Sequence, residues 1–377
     1  MIIVKMNINR LSIIVLTLFL TLTAEAQKIT LGSATTKDGG DYQGEMVMGK
    51  PHGKGKAVYK NGNWYEGEYV KGKRQGFGIY SFFDGEKYEG EWFQDQQHGK
   101  GTYYFLNNNR YDGLWFRDYQ QGHGIMYYYN GDKYDGEWKQ DKRSGYGVYT
   151  FASGAYYKGD WVNDKKNGKG VYDWGDGSVY DGDWKDNMRS GKGTFKYSGG
   201  DVYIGPWADD EMNGRGIYKF QNGDVYEGDY SKGERTGSGI FRYANGDQYT
   251  GQFYKGDKQG QGTFVWQNGD TYVGQWKTDK QEGRGKLTKK NGDTVEGTFK
   301  SGQPNGECIA RFADGSKFKG VFKNGKRNGT AIEEDKDGNR FEGTYLDDVR
   351  DGNFVEKDRN GKVTAQGTYT RGHRQTK

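Results

Sequence analysis

The sequence predicts an all-β chain: an elongated, single-layer antiparallel sheet, solenoid-like, of about fourteen hairpin repeats of 23 residues. Three observations carry that expectation. An aromatic or apolar residue returns every 23 positions from Tyr42 to Phe341 with no insertion or deletion. Glycine holds the third and twelfth places of every unit. Between these marks the residues alternate with period two, which is the pattern of a half-buried strand.

Stepping by 23 from Tyr42 gives Tyr65, Tyr88, Tyr111, Tyr134, Tyr157, Tyr180, Tyr203, Tyr226, Tyr249 and Tyr272, then Val295, Phe318 and Phe341. The third place is glycine from Gly44 to Gly343, and the twelfth from Gly53 to Gly352. The fifth is aromatic in every unit but the first. In the unit from 134 to 156, Tyr134, Gly136 and Trp138 alternate with Asp135, Glu137 and Lys139. A polar turn ends at Gly145, and then Gly147, Tyr149 and Phe151 alternate with Val148 and Thr150. Aromatic and β-branched residues in alternation favour a pleated surface. The second turn is often Asn-Gly-Asp, as at Asn130-Gly131-Asp132, and is expected to be a tight hairpin needing positive φ. Each unit is therefore expected to be two short antiparallel strands and two turns. A strand glycine is otherwise a weakness, so these are expected to leave room for a neighbouring strand's Tyr or Trp ring.

Composition fits a thin sheet. Only 32% of the residues are hydrophobic, against 65 Gly, 31 Tyr, 19 Phe and 10 Trp. Rings laid on glycine must supply most of the buried area. At the start of the chain, Lys5 and Arg10 precede an uncharged run from Leu11 to Thr23, too short to span a bilayer. Ala24-Glu25-Ala26 then offers small residues for cleavage before Gln27, so residues 1–26 are expected to be a signal peptide. Its removal takes the formal charge from +5 to +4, with both signs interleaved, which excludes the concentrated basic face of a nucleic-acid binder. The lone Cys308 leaves an exported chain without an internal disulfide.

The pattern YxGxW…GxG…NGD resembles the MORN (membrane occupation and recognition nexus) repeat family from residue 42 to about 363. The resemblance implies an elongated single-layer antiparallel sheet, and functions that range over scaffolding, lipid or membrane association and regulation of attached catalytic domains. Five segments are expected. They are the signal peptide at 1–26, an N-terminal linker or cap at 27–41, and regular repeats one to eleven at 42–294. Divergent repeats twelve to fourteen follow at 295–363, and a partial repeat with a basic tail at 364–377. In the divergent end the second glycine of the GxG pair becomes Cys308, Ala331 and Phe354. Ring positions become Leu287 and Lys289 already in repeat eleven, and Glu333 and Asp335 in repeat thirteen. This end resembles a looser bacterial MORN variant, and is expected to cap the array or to form a separate binding end.

No catalytic residue, metal ligand or cofactor is expected. The GxG pairs fall within hairpins rather than between a strand and a helix, where a phosphate cradle would form. His52 and His98 share one turn position two repeats apart and are expected to be solvated. Asp335-Lys336-Asp337-Gly338-Asn339 is expected to be a hairpin turn rather than a calcium loop. Repeated carboxylates such as Glu66, Glu68, Glu89, Glu91, Asp181 and Asp183, with Lys100, Lys169, Lys192 and Arg215 nearby, suggest cross-strand charge pairing.

What remains is a surface. The candidate ligand-binding face is the ring set Tyr88, Trp92, Tyr111, Trp115, Tyr134, Trp138, Tyr157, Trp161, Tyr180, Trp184, Tyr203 and Trp207, since Tyr and Trp dominate binding hot spots. A candidate anionic-surface patch gathers Lys277, Lys280, Arg284, Lys286, Lys289 and Lys290. The expected function is a non-catalytic extracytoplasmic scaffold for a protein partner, periplasmic, cell-surface or secreted. The alternative is a lipid- or glycan-binding envelope module at the membrane surface.

Overall fold

The computed structural model describes residues 28–375. The expected signal peptide at 1–26 and its expected cleavage point at Ala26 and Gln27 lie outside the described residues. The chain divides into two compact units, one ending at Tyr103 and one beginning at Tyr104. Among the described residues both are built of strands, with no helix.

In the first unit a strand at Thr30–Thr35 precedes the repeats and pairs antiparallel with Asp41–Val47. The chain then runs through Lys50–Val58, Trp64–Val70, Lys73–Ser81 and Lys87–Phe93, each strand pairing with the one before it. The second unit repeats the same meander from Arg110–Phe116 onward. It ends in a hairpin of Val363–Thr370 with His373–Gln375. Within each unit the pairings join strands that follow closely along the chain, Val202–Ala208 pairing with both Glu211–Met212 and Gly214–Lys219, so the sheet of each unit stays open.

One repeat is a seven-residue strand, a turn, a nine-residue strand and a second turn, as in Lys133–Lys139 followed by Lys142–Thr150. The two turns exchange the roles expected from sequence. The first is the tight one. Gln140 and Asp141 both have positive φ, at 49° and 63°, as a two-residue type I′ turn demands. Asp and Asn tolerate this left-handed conformation better than other side chains, and the equivalent place is otherwise Gly, as at Gly256. In the Asn-Gly-Asp turn only Gly131 is left-handed. It closes a wider loop in which the Tyr128 N–H donates to the Asp132 carbonyl and the Gly131 N–H to the Tyr128 carbonyl.

The two invariant glycines serve different needs. Gly145, at the twelfth place, has φ +75° inside a bulge: Gly136 faces Gly147 and Trp138 faces Arg143, leaving two extra residues on the second strand. It stands within the second strand rather than ending the turn. Gly136 and Gly147 instead make space. A Cβ on Gly147 would lie 2.3 Å from the Tyr134 hydroxyl, and one on Gly136 would lie 2.5 Å from the Gly147 Cα. The ring over both is the repeat's own Tyr134, whose hydroxyl donates to the Glu137 carbonyl at 3.1 Å. The space expected for a neighbour's ring is thus shared between the two strands of one hairpin.

Candidate binding surface

Each hairpin presents a ring face and a charged face. On the ring face Tyr134 stands edge-on to Trp138 of its own repeat, with centroids 5.3 Å apart. It stands edge-on also to Trp161 of the next, at 5.4 Å. The indole N–H of Trp161 donates to the Gly147 carbonyl at 3.2 Å. Such T-shaped pairs contribute about 0.5–1.5 kcal/mol beyond area burial. Repeated along the array, they make an aromatic core one ring thick. All twelve rings of the candidate ligand-binding face belong to it, at 0–6% exposure. They hold the repeats together, and a ligand on this face meets other rings first.

Those other rings occupy the sixteenth and eighteenth places. Tyr149, Phe151, Tyr172, Trp174, Phe195, Tyr197 and Tyr218 follow one another at centroid distances of 4.3–5.9 Å. The series continues through Phe220, Phe241, Tyr243 and Phe264 to Trp266. The eighteenth-place rings Phe151, Tyr197, Phe220, Tyr243 and Trp266 are half-buried, and Trp174 is 37% exposed. In this stripe the eighteenth-place rings stay partly exposed, above the buried fifth-place rings.

A basic side chain at the tenth place, not singled out from the sequence, sits among these rings. The Arg143 guanidinium lies 5.6 Å from the Tyr134 ring centre, 5.5 Å from Tyr149 and 4.4 Å from Trp161. Arg189 repeats this over Tyr180, Phe195 and Trp207. Its signal in the sequence is the recurrence of Arg or Lys at 23-residue steps: Arg74, Arg143, Lys166, Arg189, Arg235 and Lys258. Burial raises the tyrosine hydroxyls below. Tyr226 and Tyr272 are pushed to about 12, and Tyr134, Tyr157 and Tyr180 well above their ordinary value.

Acidic residues in both turns stitch repeats together. Asp164 Oδ1 accepts the backbone N–H of Arg143 in the preceding repeat, and Asp132 Oδ1 accepts that of Ala152 in the following one. Asp335 begins a hairpin turn like that from Tyr128 to Asp132, but its carboxylate accepts the Asp337 and Asn339 N–H groups of its own turn. On the charged face Lys169 meets Asp183 at 2.5 Å, Arg215 meets Glu227 at 3.4 Å and Lys56 meets Glu66 at 3.2 Å. Pairing is only part of the carboxylates' use, since Glu91 and Asp183 also accept the bulge N–H groups of Lys100 and Lys192. His52 and His98 lie in strands, half-buried, rather than in solvated turns. His123 Nε2 lies 3.1 Å from Asp135.

The six residues of the basic patch are all exposed, but they do not gather. Lys277 and Lys280 pair across the tip of the first turn. Arg284 and Lys286 stand on the charged face, opposite Thr298 and Glu296. Lys289 and Lys290 are at the far turn, where the Lys289 ammonium donates to Asp270 at 2.8 Å. Five of the six lie on or just beyond one nine-residue strand, which spreads them over roughly 27 Å.

The divergent end carries two concavities. On the ring face a cleft of about 930 Å³ is lined by Arg327, Glu333, Arg350 and Glu356 among others. On the charged face a groove of about 1120 Å³ runs past Val273, Ile309, Val321 and Ile332. Among the described residues no group of three or more His, Cys, Asp or Glu side chains is placed to hold a metal ion.

The geometry defines a class: an open β-meander of 23-residue hairpins, each stacked on the next through rings and turn carboxylates. The chain belongs to the MORN repeat family, which matches thirteen consecutive stretches from residue 42 to 340, broken only at residue 295. Among curated proteins none matches. Solved structures with detectable likeness include the TCP10 domain of Danio rerio CPAP in complex with a STIL peptide. That match is at 10% identity, TM-score 0.22, 78% of this chain and 96% of that one. Another is the Drosophila melanogaster SAS-4 TCP domain with a proline-rich motif of Ana2, at 11%, 0.17, 67% and 99%. A streptogramin B lyase matches at 12%, 0.13, 71% and 90%. Scores of this size carry no argument about this chain.

Proposed function

We propose that this protein is an exported, non-catalytic scaffold that binds a protein partner along the ring face of its second unit. The observation that carries the reading is the stripe from Phe151 to Trp266, which keeps an eighteenth-place ring partly exposed in every repeat at fixed spacing. Partly exposed rings at regular intervals suit an extended polypeptide, since aromatic side chains supply large contact area at low entropic cost. Repetition argues against catalysis, because the acids and bases that recur are engaged in the same structural bonds from repeat to repeat. Export rests on the charged start, short apolar run and Ala24-Glu25-Ala26 site.

The test is capture of a partner by the wild-type chain and by Trp174→Ala and Trp266→Ala. Both variants should keep the wild-type melting temperature within a few degrees and lose the captured protein. Undiminished capture by the double variant would remove the ring stripe from the reading.

A second reading, attachment to an anionic membrane surface, is favoured by one observation. Lys277 and Lys280, Lys300, and Lys323 and Lys326 stand at equivalent first-turn tips of three successive repeats. Such an edge would bind vesicles in a salt-dependent way. Flotation with anionic vesicles at low and high salt separates this reading from the first.

A further inference from the structure

The basic side chains caged by rings mostly carry an acid of the next repeat as counter-ion. Arg143 meets Asp164 and Arg189 meets Asp210, each at 3.0 Å. Arg74 meets Asp95 at 3.6 Å, Lys258 meets Asp279 at 3.7 Å and Arg327 meets Asp348 at 3.5 Å. In every case the acid stands at the second residue of the tight turn.

Lys166 and Arg235 break the rule. The place opposite Lys166 holds Asn187, which accepts the Lys166 backbone N–H at 2.8 Å as the acids do, so the turn is kept and only the charge is missing. The place opposite Arg235 holds Gly256. The Lys166 ammonium lies 4.3 Å from the Trp184 ring centre and 4.6 Å from Tyr172. The Arg235 guanidinium lies 5.3 Å from Phe241 and 5.5 Å from Tyr226. Both are half-buried, and neither forms an ion pair among the described residues. A cation partly withdrawn from water without a counter-ion is costly. Burial among the rings pushes the Lys166 amine down to about 8, although Asp210 pulls the other way.

We propose that Lys166 and Arg235 are paired subsites for two carboxylates of an extended acidic peptide lying along the ring face. This rests on the scaffold reading and names the partner's chemistry: its acids supply the counter-ions that Asn187 and Gly256 do not. The two cations are three repeats apart, or about 29 Å at two strands per repeat. An extended chain covers that distance in roughly nine residues.

The test uses the full chain and a fluorescein-labelled peptide with two glutamates nine residues apart in a Ser/Gly/Thr background, read by anisotropy. Binding should weaken with added salt and disappear when both glutamates are glutamine. Asn187→Asp and Gly256→Asp restore the internal acid, at a place where Asp279 already adopts positive φ. Each should weaken binding at least tenfold while leaving the melting temperature unchanged or higher, so that loss cannot be ascribed to unfolding. Wild-type affinity in either variant, or equal binding of the glutamine peptide, overturns the inference. So does the case where the peptide fails to bind and anionic vesicles bind in a way these two variants abolish. Such failure leaves the ring stripe standing, because partner capture by Trp174→Ala tests that independently.

Discussion

In the repeats from 134 to 271 the space above the paired glycines is filled by a tyrosine lying across its own hairpin. In those from 295 to 363 the opposite strand contributes side-chain atoms to that space, alone at Cys308 and beside the Phe318 and Phe341 rings at Ala331 and Phe354. Where the second glycine becomes Cys308, the tyrosine becomes Val295, and the thiol donates to the Thr298 carbonyl, the same acceptor place that Tyr134 uses in its repeat. Where it becomes Ala331, the ring is Phe318 and loses its hydroxyl. Where it becomes Phe354, that ring stacks on Phe341 at 5.8 Å with planes 17° apart. Volume lost on one strand is returned on the other.

The outer row changes as well. The rings at the sixteenth place give way to Glu333 and Glu356, and the caged cation becomes part of an ion ladder. Arg327 and Arg350 both bind Glu333, at 2.9 and 2.5 Å, and Arg374 meets Glu356 at 3.5 Å. The comparison teaches that the backbone of the hairpin tolerates either filling, provided the two strands change together.

The largest expected effect is alkaline. Buried tyrosines ionise above their ordinary pKa in the folded state, so unfolding releases protons once pH exceeds about 10. Their stability contribution is intact below that and lost as pH climbs through the folded values. Sheet circular dichroism and tyrosine absorbance at 295 nm, followed from pH 9 to 12.5, should change together. Tyr134→Phe with Tyr157→Phe should move the midpoint up, and Phe318→Tyr should move it down.

Gly147→Ala comes next. Its methyl group would strike the Tyr134 ring, and the overpacking should cost about 3 kcal/mol in a denaturant titration. Adding Tyr134→Phe, which imitates the Phe318 and Ala331 pair, should recover part of that. If the double variant is no more stable than the single, the exchange of volume between strands is not the reason for the divergent pattern.

Glu333→Gln should cost about 1–2 kcal/mol, because it leaves Arg327 and Arg350 without their shared acid. Tyr149→Phe, at the equivalent place in a regular repeat, removes a 2.7 Å bond to Asp132. Its cost should be about 1 kcal/mol. The smallest effect belongs to Glu137→Gln on the charged face, at about 0.5 kcal/mol.

Much of this was legible in the sequence. The period, the alternation and the aromatic fifth place lead directly to paired strands, because side-chain direction in a strand follows parity. Parity does not say how deeply a residue is covered. Tyr134 and Trp138 were therefore readable as facing one way, but not as buried, nor was Tyr134 readable as closed in by Trp161 of the next repeat and by Arg143 of the other strand. Glycine is equally silent about its reason: Gly145 answers to backbone φ and Gly147 to a ring, yet the letter is the same. Lys277 to Lys290 looked like a patch because sequence distance was read as spatial distance, while a strand separates its ends more than any other element does.

The turn carboxylates also bear on how the chain is finished during synthesis. Arg143 meets its acceptor 21 residues later, at Asp164, and Ala152 meets one made 20 residues earlier, at Asp132. Where the turn carries an acid, the hairpin is thus latched forward by a residue not yet made when its own strands emerge, and backward by one already in place. Growth from the N-terminus would close these latches one after another, like a zip whose teeth are supplied in order. The stretch left open at any moment is the newest repeat, and further along Asp351 accepts the Arg371 N–H in a backward bond of similar reach.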